Sequence, residues 1–224
     1  MNNILIKVEN LVKTFGGLVA LNDCSLEIKD KAITGIIGPN GSGKTTLFNV
    51  ITGNLKPDTG KVFYNGVEIT NEESHDLFHL GVLRTFQIAH EFSNMTVIEN
   101  LMVVPGNQKG EKLLYSLMNS QKIKKEDELI KDKAMEVLKF LKIEHLKNER
   151  AGNLSGGQKK LLELARTMMV DAKIVFLDEV GAGVNKTLLR DISDSILKLN
   201  QDKGYTFCMI EHDFNFISEL CDPV

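Results

Sequence analysis

The octapeptide Gly38-Pro39-Asn40-Gly41-Ser42-Gly43-Lys44-Thr45 decides the fold. Just upstream, AITGIIG (32–38) is a short apolar run ending in glycine, as expected of a buried strand. Downstream, KTTLFNVITGNL (44–55) sets Leu47, Val50 and Ile51 at helical spacing, and Gly53 stands where a helix would stop. A glycine-rich loop between a strand and a helix, with the spacing G-x-x-x-x-G-K-[ST], forms a phosphate cradle. Its glycines let successive backbone N–H groups turn inward around phosphate oxygens. The helix N-terminus adds roughly half a positive charge. The run from Gly38 to Thr46 is therefore the candidate phosphate-binding set. Lys44 is placed to reach β- and γ-phosphates, and the Thr45 hydroxyl to ligate Mg²⁺, a hard cation that prefers oxygen.

A second apolar strand, IVFLDE (174–179), ends in Asp178 and Glu179. In a parallel sheet this puts two carboxylates at the same edge as the glycine-rich loop. Asp178 would hold Mg²⁺ through water, and Glu179 would orient and deprotonate an attacking water. A third motif, Leu154-Ser155-Gly156-Gly157-Gln158, reads as a helix start. Ser155 and Gln158 have the spacing of a capping box. Leu161, Leu164, Ala165 and Met168 then bury one face of the helix, while Gly156 and Gly157 leave the backbone bare for close approach. This predicts a second anion-binding helix terminus.

Around these motifs, residues 4–28 read as strands broken by Gly16-Gly17, and KVFYNGVEI (61–69) as a hairpin turning at Asn65-Gly66. From Ile88 to Asn153 helix formers take over: ENLMVV, EKLLYSLMNS and DELIKDKAMEVLKFLKIEHL. In the last, Ile130, Ala134, Leu138 and Leu141 make one apolar stripe. GNQKG (106–110) is expected to be a flexible loop. Helices then alternate with strands through YTFCMIEH (205–212), which predicts a mainly parallel sheet covered on both faces.

The 224 residues carry a formal net charge of -3, with 42% hydrophobic and 25% charged residues. That composition excludes a disordered chain and offers no positive field to draw in nucleic acid. No stretch reaches the roughly 18–20 apolar residues that span a bilayer, and the N-terminus lacks a signal-peptide core. A cytoplasmic protein is expected, with Cys24, Cys208 and Cys221 as reduced thiols serving as small buried hydrophobes.

Taken together, GPNGSGKTT (38–46), RTFQ (84–87), LSGGQ (154–158), IVFLDE (174–179) and IEHD (210–213) resemble the ATP-binding-cassette (ABC) ATPase family over effectively the whole chain. The resemblance implies an α/β fold: a P-loop NTPase core, an N-terminal antiparallel β subdomain and an α-helical subdomain inserted over 88–153, within a single domain over 1–224. It implies an ATPase using ATP and Mg²⁺. Two cassettes would pair head to tail, each ATP lying between one phosphate loop and the partner's Ser155, Gly156, Gly157 and Gln158. Gln87 matches the glutamine that senses Mg²⁺ and the γ-phosphate, and His212 the histidine that contacts the γ-phosphate. Without the family, Gln87 reads as a surface polar residue and His212 as a structural histidine. Phe15 stands where an aromatic stacks on adenine, with Val19 or Ala20 sharing the role; core packing is the other reading.

Two positions depart from the family: Val180 follows the glutamate where proline is common, and Asn185 stands for the usual aspartate. The final CDPV (221–224) stops where a further strand should begin, so a C-terminal truncation with an exposed sheet edge is expected. FGGLVAL (15–21), GVLRTFQIAHEFSNMTVIENLMV (81–103), GAGVN (181–185) and LCDPV (220–224) are similar to the ATP-binding subunit of branched-chain amino-acid importers. That branch implies a second cassette in a hetero- or homodimer, multi-span membrane permease subunits, an extracytoplasmic solute-binding protein reached indirectly, no nucleic acid, and a place on the inner face of the membrane. Ile88–Val104 matches the surface that receives the membrane subunits, although Phe92, Val97 and Leu101 could serve the subdomain core alone. Urea/amide importers, the lipopolysaccharide-export ATPase and soluble ABC ATPases are the alternatives.

Overall fold

The computed structural model describes residues 3–85, 91–106, 108 and 120–224. The chain forms two compact units, one of residues 1–87, 172–182 and 196–224, the other of residues 88–171 and 183–195.

The first unit holds two four-stranded sheets. β1 (Ile4–Phe15) and β2 (Leu18–Lys29) pair antiparallel across the Gly16-Gly17 turn, with Phe15 opposite Leu18. β4 (Thr59–Tyr64) adds to β1, and β5 (Val67–Glu68) to β4, giving the order β2-β1-β4-β5. Asn65 and Gly66 both have positive φ, 48° and 78°, as a two-residue hairpin that follows the strands' twist requires. The second sheet is parallel, in the order β3-β8-β7-β6: β3 (Ile33–Ile36), β6 (Val82–Arg84), β7 (Ile174–Asp178) and β8 (Thr206–Ile210). All five residues of β7 and of β8 are buried, which explains why four of the five in each, Ile174–Leu177 and Phe207–Ile210, are apolar.

α1 (Lys44–Ile51) buries Leu47, Phe48, Val50 and Ile51 between the sheets. Phe48 meets Phe176 edge to face at 5.0 Å, and Ile6, Leu11, Val62, Cys208 and Ile210 complete the same core. α2 (Ser74–His79) and α7 (Phe214–Leu220) complete the helices lying wholly in this unit among the described residues. Asp222 N–H donates to Ile33 O and Gly35 N–H to Pro223 O, so the residues after α7 lie along the outer edge of β3. Cys208 and Cys221 are buried and Cys24 half-buried. Burial pushes the Cys208 thiol well up and that of Cys221 to about 11, which keeps both as neutral hydrophobes.

The second unit is helical: α3 (Val97–Met102), α4 (Ser120–Phe140), α5 (Gly156–Met168) and the start of α6 (Lys186–Lys203), which continues into the first unit. Ala134, Leu138 and Leu141 are buried and Ile130 half-buried, as the stripe predicts. KIEHL does not continue α4; a separate 3-10 turn forms at Glu144–Leu146. EKLLYSLMNS up to its last residue, Ser120, and most of GNQKG lie outside the described residues. Val97 and Leu101 are fully buried, whereas Phe92 is half exposed, so two of these three serve the core. Asn100 organises the segment before α3: its Oδ1 accepts from Phe92 N–H at 2.8 Å, and its Nδ2 donates to Phe92 O and Thr96 O. Among the described residues no helix is long and apolar enough to cross a membrane.

Candidate active site

The loop from Gly38 to Gly43 leads from the end of β3 into α1. Gly43 has φ 89°, and a Cβ there would lie 2.3 Å from Ala20 O; the phosphate loop packs so tightly on β2 that only glycine fits. Lys44 Nζ donates to Gly38 O and Pro39 O, both at 2.9 Å. The ammonium group is thus held inside the loop it serves. A cavity of about 550 Å³ opens over this loop. Asn40 to Thr46 form its floor, Phe15, Leu18, Val19 and Ala20 one wall, and Glu179 and His212 another. Phe15 is 48% exposed, which decides against the core reading and leaves its ring facing solvent beside the cavity.

Glu179 and His212 come from neighbouring strand ends. β7 pairs with β8 so that Asp178 faces Ile210, and Glu179 N–H donates to Ile210 O at 2.9 Å. His212 Nε2 lies 3.0 Å from Glu179 Oε1. Glu179 has φ 50°, a left-handed conformation unusual for a residue with a side chain. Strain at such a position persists only where the surroundings hold it.

Asp178 points elsewhere. It is 2% exposed and accepts from Arg84 Nη2 at 2.7 Å, while Arg84 Nη1 bonds Asn49 Oδ1 of α1. Sequence reasoning gave Arg84 no role, although RTFQ carries it; its partner lies 94 positions away. Glu211, also unassigned, is 5% exposed and accepts from Gly181 N–H at 2.7 Å. Asp58, which no motif marks, accepts from Lys13 Nζ, Thr14 N–H and Thr14 Oγ, each at 2.7 Å, and so anchors the strand end that carries Phe15.

Of the oxygen donors expected to hold a cation, the Thr45 hydroxyl lines the cavity, whereas the Asp178 carboxylate is engaged by Arg84. Among the described residues no cluster of three or more His, Cys, Asp or Glu could hold a metal unaided. Such a sparse, oxygen-only donor set fits Mg²⁺, which keeps waters and takes its remaining oxygens from substrate phosphates.

In the second unit Ser155 caps α5 as expected: Ser155 Oγ accepts from Gln158 N–H and Gln158 Oε1 from Ser155 N–H. Gly156 has open space where a Cβ would go, as predicted. Gly157 differs. A Cβ there would lie 2.2 Å from Leu188 Cδ2 and 3.2 Å from Val184, so this glycine is bare for packing on α6. Asn185 substitutes for the usual aspartate without loss of function as a cap, its Oδ1 accepting from Leu188 N–H at 3.0 Å. Gln87 lies outside the described residues.

The family described as "ABC transporter" matches residues 21–182, from β2 through the phosphate loop, the LSGGQ helix and Glu179. The chain belongs to this family. It is an ATP-binding, ATP-hydrolysing cassette. A probable branched-chain amino acid transport ATP-binding protein, LivG, of Methanocaldococcus jannaschii is 44% identical over 97% of the cassette and 84% of that protein. The cassette also resembles the ADP conformation of MJ1267, an ATP-binding cassette of an ABC transporter, at 43% identity and a TM-score of 0.81, covering 98% of this chain and 85% of that one. A dimeric bacterial transporter cassette, MJ0796, is similar at 26% identity and a TM-score of 0.78 over 95% and 90% of the two chains.

Proposed function

We propose that this cassette is the ATP-hydrolysing subunit of an importer for branched-chain, hydrophobic amino acids, and works on the inner face of the membrane beside a second cassette and two multi-span permeases. The observation that carries the hydrolytic part is the single cavity in which the phosphate loop, Glu179 and His212 meet. Identity with the M. jannaschii protein named for branched-chain amino-acid transport supports the cargo class. An extracytoplasmic binding protein would set the solute, since the cassette has no solute site of its own in this reading.

Phe15, with Val19 and Ala20, receives the adenine. The backbone N–H groups from Gly38 to Thr46 cradle the phosphates, and Lys44 moves from the loop carbonyls to the β- and γ-phosphates. Thr45 and Gln87, with Asp178 through water, would hold Mg²⁺, which when bound neutralises phosphate charge. Glu179 orients the attacking water and accepts its proton. His212, already within 3.0 Å of Glu179, contacts the γ-phosphate and fixes the carboxylate's direction. Ser155, Gly156 and Gln158 of the partner cassette close the other side of the nucleotide, and this closure drives the permeases.

The test is a Glu179→Gln variant, which keeps the shape and removes the base. Turnover should fall at least about a hundredfold, and ATP should trap a stable pair on size-exclusion chromatography. Mass spectrometry of the tagged chain, recovered from detergent-solubilised membranes, should find two multi-span proteins and a second cassette. Recovery only from the soluble fraction would remove the transport assignment.

A further inference from the structure

The buried carboxylate of Glu211 has no part in the mechanism above, yet it lies against the base of that mechanism. Three successive residues at the end of β8, Ile210, Glu211 and His212, hold Glu179 and Gly181 just past the end of β7. Ile210 O accepts from Glu179 N–H at 2.9 Å. Glu211 Oε1 accepts from Gly181 N–H at 2.7 Å. His212 reaches the Glu179 side chain at 3.0 Å. Burial, with the nearby negative charge of Glu179, pushes the Glu211 carboxyl up, against the hydrogen bond from Gly181 N–H.

The turn held in this way is strained, because Glu179 sits at φ 50°. A left-handed glutamate relaxes toward an ordinary conformation unless its neighbours are fixed on both sides. Ile210 fixes the N-terminal side. On the C-terminal side the Glu179 carbonyl accepts from Ala182 N–H within the turn itself, and Glu211 is what ties the turn to the sheet.

We propose that Glu211 is a positioning residue for ATP hydrolysis: it fastens the Val180–Gly181 turn so that the strained Glu179 keeps its carboxylate on His212 and toward the cavity. The inference rests on the reading of Glu179 as the base. Glu211 itself touches no substrate.

The experiment measures ATP turnover and binding of a fluorescent ATP analogue by the full chain, purified with its native assembly. Glu211→Ala should lower kcat by about tenfold to a hundredfold, as misplacement of a catalytic group does, with KM and analogue affinity nearly unchanged. Glu211→Gln, whose amide oxygen still accepts from Gly181 N–H, should recover most of that loss. Wild-type turnover in Glu211→Ala overturns the proposal. So does joint loss of turnover and nucleotide binding in both Glu211 variants, which marks a purely structural carboxylate. Glu179→Gln in parallel separates the two readings. An inactive Glu179→Gln beside an active Glu211→Ala overturns this inference alone, and an active Glu179→Gln overturns both.

Discussion

Arg84 and Asp178 form the most buried ion pair described in the molecule, at 8% and 2% side-chain exposure. Two charges removed from water are tolerated because each also serves a neighbour: Arg84 bonds Asn49 and lies 5.9 Å from the Phe48 ring, and Asp178 ends the strand that feeds the site. Removing one partner leaves the other charge buried and uncompensated. Arg84→Met is therefore expected to cost about 3–5 kcal/mol in unfolding free energy, read by denaturant titration. On the proposal that Asp178 helps to hold Mg²⁺, it should also change the Mg²⁺ concentration needed for half-maximal turnover, because Asp178 loses the partner that fixes its carboxylate. Neither residue advertises the pairing. The motifs around Asp178 and Gln87 are legible one by one, but an ion pair across 94 positions exists only when β6 and β7 lie side by side.

At the scale of elements, one helix start and one strand end matter most. α5 starts on a capping box that sequence alone predicts, since Ser155 and Gln158 are three residues apart and need no other part of the chain. Its second glycine is another matter, because Leu188 belongs to a distant helix. Gly157→Ala should lower the melting temperature, and Leu188→Ala should suppress much of that loss by making room, which a thermal melt of the three variants would show. The end of β1 depends on Asp58. Hydrogen bonds from Lys13 and Thr14 hold its carboxyl down at about 2, below the usual value of 3.8. The sign follows from proton linkage: the folded state binds this proton less readily than the unfolded chain. The stabilisation is therefore complete above about pH 4 and lost as pH falls through about 2. The melting-temperature gap between the parent chain and Asp58→Asn should be present at pH 7 and close across that window. Since Asp58 also places Phe15, the same variant should weaken ATP binding at neutral pH.

For the whole molecule, what could be read from the chain was what local chemistry dictates. Gly38 to Thr45 announce a phosphate loop because a strand, a tight turn and a helix N-terminus are consecutive in sequence. The four-residue apolar runs within β7 and β8 announce a parallel sheet because such strands are buried on both faces. Asn65-Gly66 announces a hairpin because both turn residues need positive φ. The roles of Gln87 and His212 came from resemblance, because a lone glutamine or histidine carries no spacing signal of its own. Tertiary structure alone decided four things. It set Phe15 at the cavity edge instead of in the core. It paired Arg84 with Asp178. It gave Gly157 a packing purpose. It drew Glu179, Glu211 and His212 into one clamp by putting the ends of β7 and β8 next to each other. In each case the partners are far apart along the chain. The interactions depend on strand order and on angstrom-scale approach between elements, and neither is encoded by any short stretch of residues.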